Sequence, residues 1–154
     1  MLDMVFAEPQ EATEEMPSLN HSYLCTQIIK QLLQLPEILP LAELTLNIDK
    51  GLTPDISIYP ADKINPDFFN DVSKYDELPI VAIEIISASQ NIQTVLQKAK
   101  QLTAAGVRSV LTLEPYSRTV FVTQENQENR LVHNAIVEVE GIAIDFKHIF
   151  EQPG

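Results

Sequence analysis

Residues 18 to 36 read SLNHSYLCTQIIKQLLQLP, with Leu24, Ile28, Leu32 and Leu35 in helical spacing and Ile29 and Leu33 beside them. This predicts a helix with one apolar stripe, capped by Ser18 or Asn20 and stopped by Pro36. AELTLNID (42–49) alternates apolar with polar positions and predicts a half-buried strand. KGLTP is turn chemistry, and DISIY is the next strand. PADKINPDFFNDVSKYDELP (60–79) holds three prolines, four aspartates and two asparagines, so it reads as a long surface loop with one helical turn at DFFNDV. IVAIEIIS (80–87) is a short apolar run that fits a strand buried on both faces of a sheet. SASQNIQTVLQKAKQLTAAG predicts a capped helix ending at Gly106. VRSVLTLEP and RTVFVTQ flank PYS as a hairpin, and RLVHNAIVEVEG and IAIDFKHIF read as further strands. The order implies an α/β fold with a mixed β-sheet flanked by helices, and no internal repeat is visible.

A chain of 154 residues with 45% apolar content fits one globular domain. Residues 1–17 mix acids with Pro, Gln and Thr and are expected to be a loosely ordered acidic lead-in, with 18–154 as the single domain. No apolar run approaches the ~20 residues that span a bilayer, and MLDMVFAEPQEATEEMP lacks the basic start of a secretory signal. One cysteine, Cys25, excludes an internal disulfide framework and a cysteine-based metal cluster. No membrane partner is expected, and the cytoplasm is the expected compartment. Ten basic against 22 acidic residues give a net charge of −12, which opposes nonspecific binding to a polyanion.

Two acids break the apolar pattern. Asp55 follows Pro54 at the start of a strand, and Glu84 sits among Ile83, Ile85 and Ile86. If their strands are neighbours, the two carboxylates converge on one side of the sheet, where they repel and are costly to bury unpaired. Mg²⁺ removes that penalty, because it takes oxygen ligands from one or two carboxylates and leaves other positions to water or phosphate. Such an ion polarises a phosphoryl group and readies a water for attack. Plainer readings stand beside this one. Asp55 also fits a turn residue opening a strand, Glu84 a satisfied core glutamate, Lys98 a solvated helix lysine, and His21 a capping or partly buried histidine. Cys25 falls on the apolar face of the first helix and reads as a small core residue. No Walker loop, nucleophile elbow or Gly-rich dinucleotide turn is present, and four glycines could hardly build one.

The order Pro54-Asp55, then Glu84 in an apolar strand, resembles the PD-(D/E)xK nuclease superfamily. EIISASQ, Lys98 on the following helix and AAGVRSV resemble its branch of putative restriction-endonuclease-like domains, in which the lysine has moved from the strand onto that helix. Ile86 stands where the in-strand lysine would be, and Thr94 and Leu102 replace the aspartate and tyrosine that often flank the helical lysine. NHSYL, with His21, and AELTLNI also resemble the branch, and the likeness spans roughly residues 15 to 125. It implies a restriction-endonuclease-like core and Mg²⁺- or Mn²⁺-dependent hydrolysis of DNA phosphodiesters. Asp55, Glu84 and the backbone carbonyl of Ile85 would hold the metal, and Lys98 would orient the attacking water or steady the phosphate. His21 and Glu15 are weaker candidates. The alternative reading is a catalytically lapsed relative acting as a homodimeric binding or assembly module. It is motivated by the charge of −12, the missing in-strand lysine and the short N-terminal acid segment.

Overall fold

The computed structural model describes residues 18–151, so the lead-in expected over 1–17 and the candidate Glu15 lie outside the described residues. Helix α1 (Leu19–Leu32) starts where Ser18 accepts the amide of His21 at 3.2 Å and buries Leu24, Ile28 and Leu32. It ends four residues short of Pro36.

The first strand corrects an expectation. AELTLNID is not a strand; β1 is Ile38–Ala42, which ends on its first residue. Glu43 turns the chain with a φ of 54°, and the following segment returns as a loop in which Leu46 bridges Leu52 and Tyr75. The alternation was a true record of burial, since Leu46 and Ile48 are both buried, but a looped path produces it. Pro40 fits β1 because β1 is a sheet edge.

Strand β2 (Ile56–Pro60) runs into a single 3₁₀ turn (Ala61–Lys63) and a long link to β3 (Val81–Ile85). DFFNDV is a turn, not a helical one: the Asp67 carboxylate accepts the Phe69 amide at 3.0 Å, leaving Phe68 and Phe69 almost fully exposed. Every residue of β3 is buried, as the uninterrupted apolar run predicts. Helix α2 (Ile92–Ala105) is capped by the Asn91 side chain on the Gln93 amide at 2.7 Å and ends at Gly106, whose φ of 128° suits glycine.

The expected hairpin follows as β4 (Ser109–Glu114) and β5 (Thr119–Gln124), and β6 (Arg130–His133) completes a six-stranded sheet in the order β1-β2-β3-β4-β5-β6. Strands β7 (Ile136–Val139) and β8 (Ile142–Asp145) form a separate ribbon. The end of IAIDFKHIF is a short helix, α3 (Phe146–Phe150), because the Asp145 carboxylate caps the His148 amide at 2.9 Å.

Neighbouring strands of the large sheet are antiparallel except β3 and β4, which are parallel and joined through α2. On one face α1 and the β7–β8 ribbon pack against Ile56, Ile58, Ile83, Ile85 and Leu111. On the other, Ala99 and Leu102 of α2 pack against Ala82 and Val110 with Leu46 and Ile48. Helices therefore cover both faces of a mixed sheet, the expected α/β class. Among the described residues no helix is long and apolar enough to cross a membrane.

Candidate active site

The β2–β3 register pairs Ile56 with Ile83, Ser57 with Ala82 and Ile58 with Val81. One further step sets Asp55 opposite Glu84. Ile83 and Ile85 belong to the α1 side of the core, whereas Ala82 belongs to the α2 side, so alternation along the strand turns Glu84 toward α2. Asp55 and Ser57 share that face by the same parity.

Each carboxylate is held. Asp55 Oδ2 accepts the backbone amide of Ile85 at 2.7 Å, and Asp55 Oδ1 meets His21 Nε2 at 3.1 Å. His21 Nδ1 lies 3.9 Å from Cys25 Sγ, one helical turn on. Glu84 Oε2 is ion-paired with Lys98 Nζ, which also donates to the carbonyl of Thr53 at 3.0 Å. Strand β3 thus contributes Glu84, the residue before β2 contributes Asp55, and both flanking helices send one cation to the same sheet end.

The electrostatics follow from burial. Glu84 is only 6% exposed. Desolvation lifts its carboxyl from 4.5 to about 7, with Asp55 adding to the rise and Lys98 opposing it. His21 is pushed from 6.5 up to about 10, chiefly by its hydrogen bond to Asp55, so it is an imidazolium at neutral pH. Two acids therefore face two cations, and the cluster is close to charge balance by itself.

Of the residues singled out in the sequence, the structure brings Asp55, Glu84, Ile85, Lys98 and His21 together; Glu15 is outside the described residues. Among the described residues no group of three or more His, Cys, Asp or Glu side chains is arranged to hold a metal. Two carboxylates on one face, with the Ile85 carbonyl next in the chain, still suit a hard cation that fills its remaining positions with water. Glu84 supports the fit, because an acid raised chiefly by burial, and further by Asp55, is the group a dication would relieve. Sequence reasoning missed Thr112, which pairs with Glu84 across β3–β4 and lies fully buried on the same face. Its signal was weak: one hydroxyl in the otherwise apolar run VLTL. The Oγ atoms of Thr112 and Ser57 are buried without a hydrogen-bond partner among the described residues.

Comparison with known proteins bears on the family and the fold. A family model described as "Uma2: Putative restriction endonuclease" matches residues 9–146. Among solved structures, one described as a putative nuclease belonging to DUF820, from Anabaena variabilis, aligns with a TM-score of 0.74. That alignment covers 89% of this chain and 83% of that one at 21% identity, a likeness of fold. No curated protein matches.

Proposed function

Because this chain belongs to the Uma2 family, within the PD-(D/E)xK nuclease superfamily, we propose that it hydrolyses phosphodiester bonds of DNA with Mg²⁺ or Mn²⁺ at the Asp55–Glu84 site. One observation carries this reading: two acids meet on one sheet face with a lysine from the next helix on one of them. Asp55, Glu84 and the Ile85 carbonyl would hold the ion, which when bound supplies charge to the phosphoryl group and lowers the cost of deprotonating a water.

The chain's own residues prepare that site. The Ile85 amide and His21 hold Asp55 from two sides, which fixes the carboxylate before any ligand arrives. Thr53, by accepting from Lys98, helps hold the ammonium beside the Glu84 carboxylate. From there Lys98 reaches the phosphate edge or the attacking water, holding it by a charge-assisted hydrogen bond. Ala82 and Val110, fully buried on the same sheet face, keep bulk water from the base of Glu84.

The test is cleavage of labelled oligonucleotides with Mg²⁺, with Mn²⁺ and with EDTA. Cutting is expected only with metal, and Asp55→Asn and Glu84→Gln are each expected to abolish it. Undiminished cutting by either variant would overturn the assignment.

A further inference from the structure

Strand β4 is apolar from Val110 to Leu113 except at Thr112. The parallel register sets Thr112 directly opposite Glu84 on β3. Leu111 and Leu113 belong to the α1 side of the core and Val110 to the α2 side, so alternation turns Thr112 to the face that carries Glu84. Strands lie ~4.8 Å apart, a gap that a threonine hydroxyl and a glutamate carboxylate span between them. Thr112 is fully buried, and its Oγ1 has no hydrogen-bond partner among the described residues. Leaving a buried hydroxyl unpaired costs about 1–3 kcal/mol, and valine would fill the same space without that cost.

The side chains around Thr112 leave one acceptor for it. Phe121, its partner on β5, has none, and neither has Val110, two residues back on the same face. Glu114, two residues on, already takes the amides of Tyr116 and Ser117 and the Ser117 hydroxyl. Glu84 remains. Its Oε2 is buried and has no partner among the described residues except the Lys98 ammonium. The Ser57 hydroxyl is also unpaired, but Ser57 aligns with Ala82, one row behind the acids.

An ammonium and a divalent cation on one carboxylate repel each other, and the Lys98 side chain is 27% exposed and free to swing away. Glu84, only 6% exposed, would then keep an oxygen with neither water nor ammonium to donate to it. We propose that Thr112 is the positioning residue for Glu84 in the loaded site. With Lys98 turned toward the phosphate or the attacking water, the freed carboxylate oxygen turns to Thr112, whose hydroxyl donates to it. This rests on the phosphodiester reading above and adds the group that steadies Glu84 while a metal is bound. Glutamate turns its carboxylate readily, so no backbone movement is needed. A hydroxyl on a carboxylate makes a short, strong bond. The hydroxyl is thus held in reserve: a burden on the free protein, a support for the loaded one.

The test is calorimetric titration of the full chain with MnCl₂, with no nucleic acid present. Thr112→Val is expected to bind Mn²⁺ about ten-fold more weakly than the parent. Thr112→Ser keeps the donor and is expected to stay within about two-fold of the parent. Thermal melts without metal separate positioning from packing, since metal-free Thr112→Val is expected to melt no lower than the parent. A lower melting temperature would show the hydroxyl already in use and overturn the proposal. So would parental affinity in the valine variant, or a serine variant as weak as the valine one. The two readings fail differently. No uptake by the parent, or uptake untouched by Glu84→Gln, ends the metal-site reading and this inference with it. Uptake lost in Glu84→Gln but unchanged in Thr112→Val ends this inference alone.

Discussion

Replacing Glu84 by glutamine removes a buried negative charge with almost no change of shape. Desolvation and Asp55 raise this carboxyl from 4.5 to about 7. The folded protein therefore holds the proton more tightly than the unfolded chain. The cost of the carboxylate is absent below pH 4.5, grows as pH rises and is complete above pH 7. At about 1.4 kcal/mol per tenfold in acidity, that cost is ~3 kcal/mol. Glutamine never carries it, and because the value of about 7 already contains the attraction of Lys98, no further loss is subtracted. Glu84→Gln is thus expected to match the parent near pH 4.5 and to exceed it in stability by up to about 3 kcal/mol at pH 8. With a urea slope near ~2 kcal/mol/M, the midpoint rises by up to roughly 1.5 M. Urea titration followed by far-UV circular dichroism reads this directly. Equal midpoints at pH 8, or the same advantage at pH 4.5, would refute burial as the dominant cause. The same variant should lose metal-dependent cleavage, the pattern expected where function demands a destabilised group.

Lys98→Met leaves the Glu84 carboxylate beside Asp55 without its cation. A loss of about 2–3 kcal/mol at pH 8, shrinking toward pH 5, is expected in the same urea assay. His21, raised from 6.5 to about 10, supports the fold fully below pH 6.5 and loses that contribution as pH climbs through 10. His21→Gln should therefore show a flatter thermal-melting profile between those values than the parent, and parallel profiles would contradict the ion pair. Thr112→Val replaces a buried hydroxyl that has no partner among the described residues and should raise stability by about 1 kcal/mol in calorimetry; a lower melting temperature would show that the hydroxyl is used.

The acids were legible in the sequence because a carboxylate inside IVAIEIIS contradicts its surroundings, and the structure answers that contradiction with an ion pair to Lys98. Lys98 was legible only through the family resemblance, since nothing in an amphipathic helix marks one lysine from another. The contact of His21 with Asp55 joins residues far apart in the chain, and no local pattern encodes it. The misplaced first strand has a physical origin too. Burial with a period of two arises from a strand or from a loop laid across a core, and the positive φ of Glu43 chose the loop. At the other end, IAIDFKHIF carries strand-like apolar residues, but Asp145 offers its carboxylate to the next turn of backbone and tips the segment into helix.

Strands β2 and β3 are antiparallel neighbours, yet a long excursion rather than a tight hairpin joins them. Their alignment is secured from outside that excursion, by the Asp55–Ile85 bond, the parallel partner β4 and the helix behind Glu84. Doubling the length of such a connection costs only about 0.6 kcal/mol in closure entropy. Evolution is therefore free to lengthen, trim or rewrite the stretch around Phe68 while the acids stay in place. The surface beside the acids can change while the acids themselves keep their register.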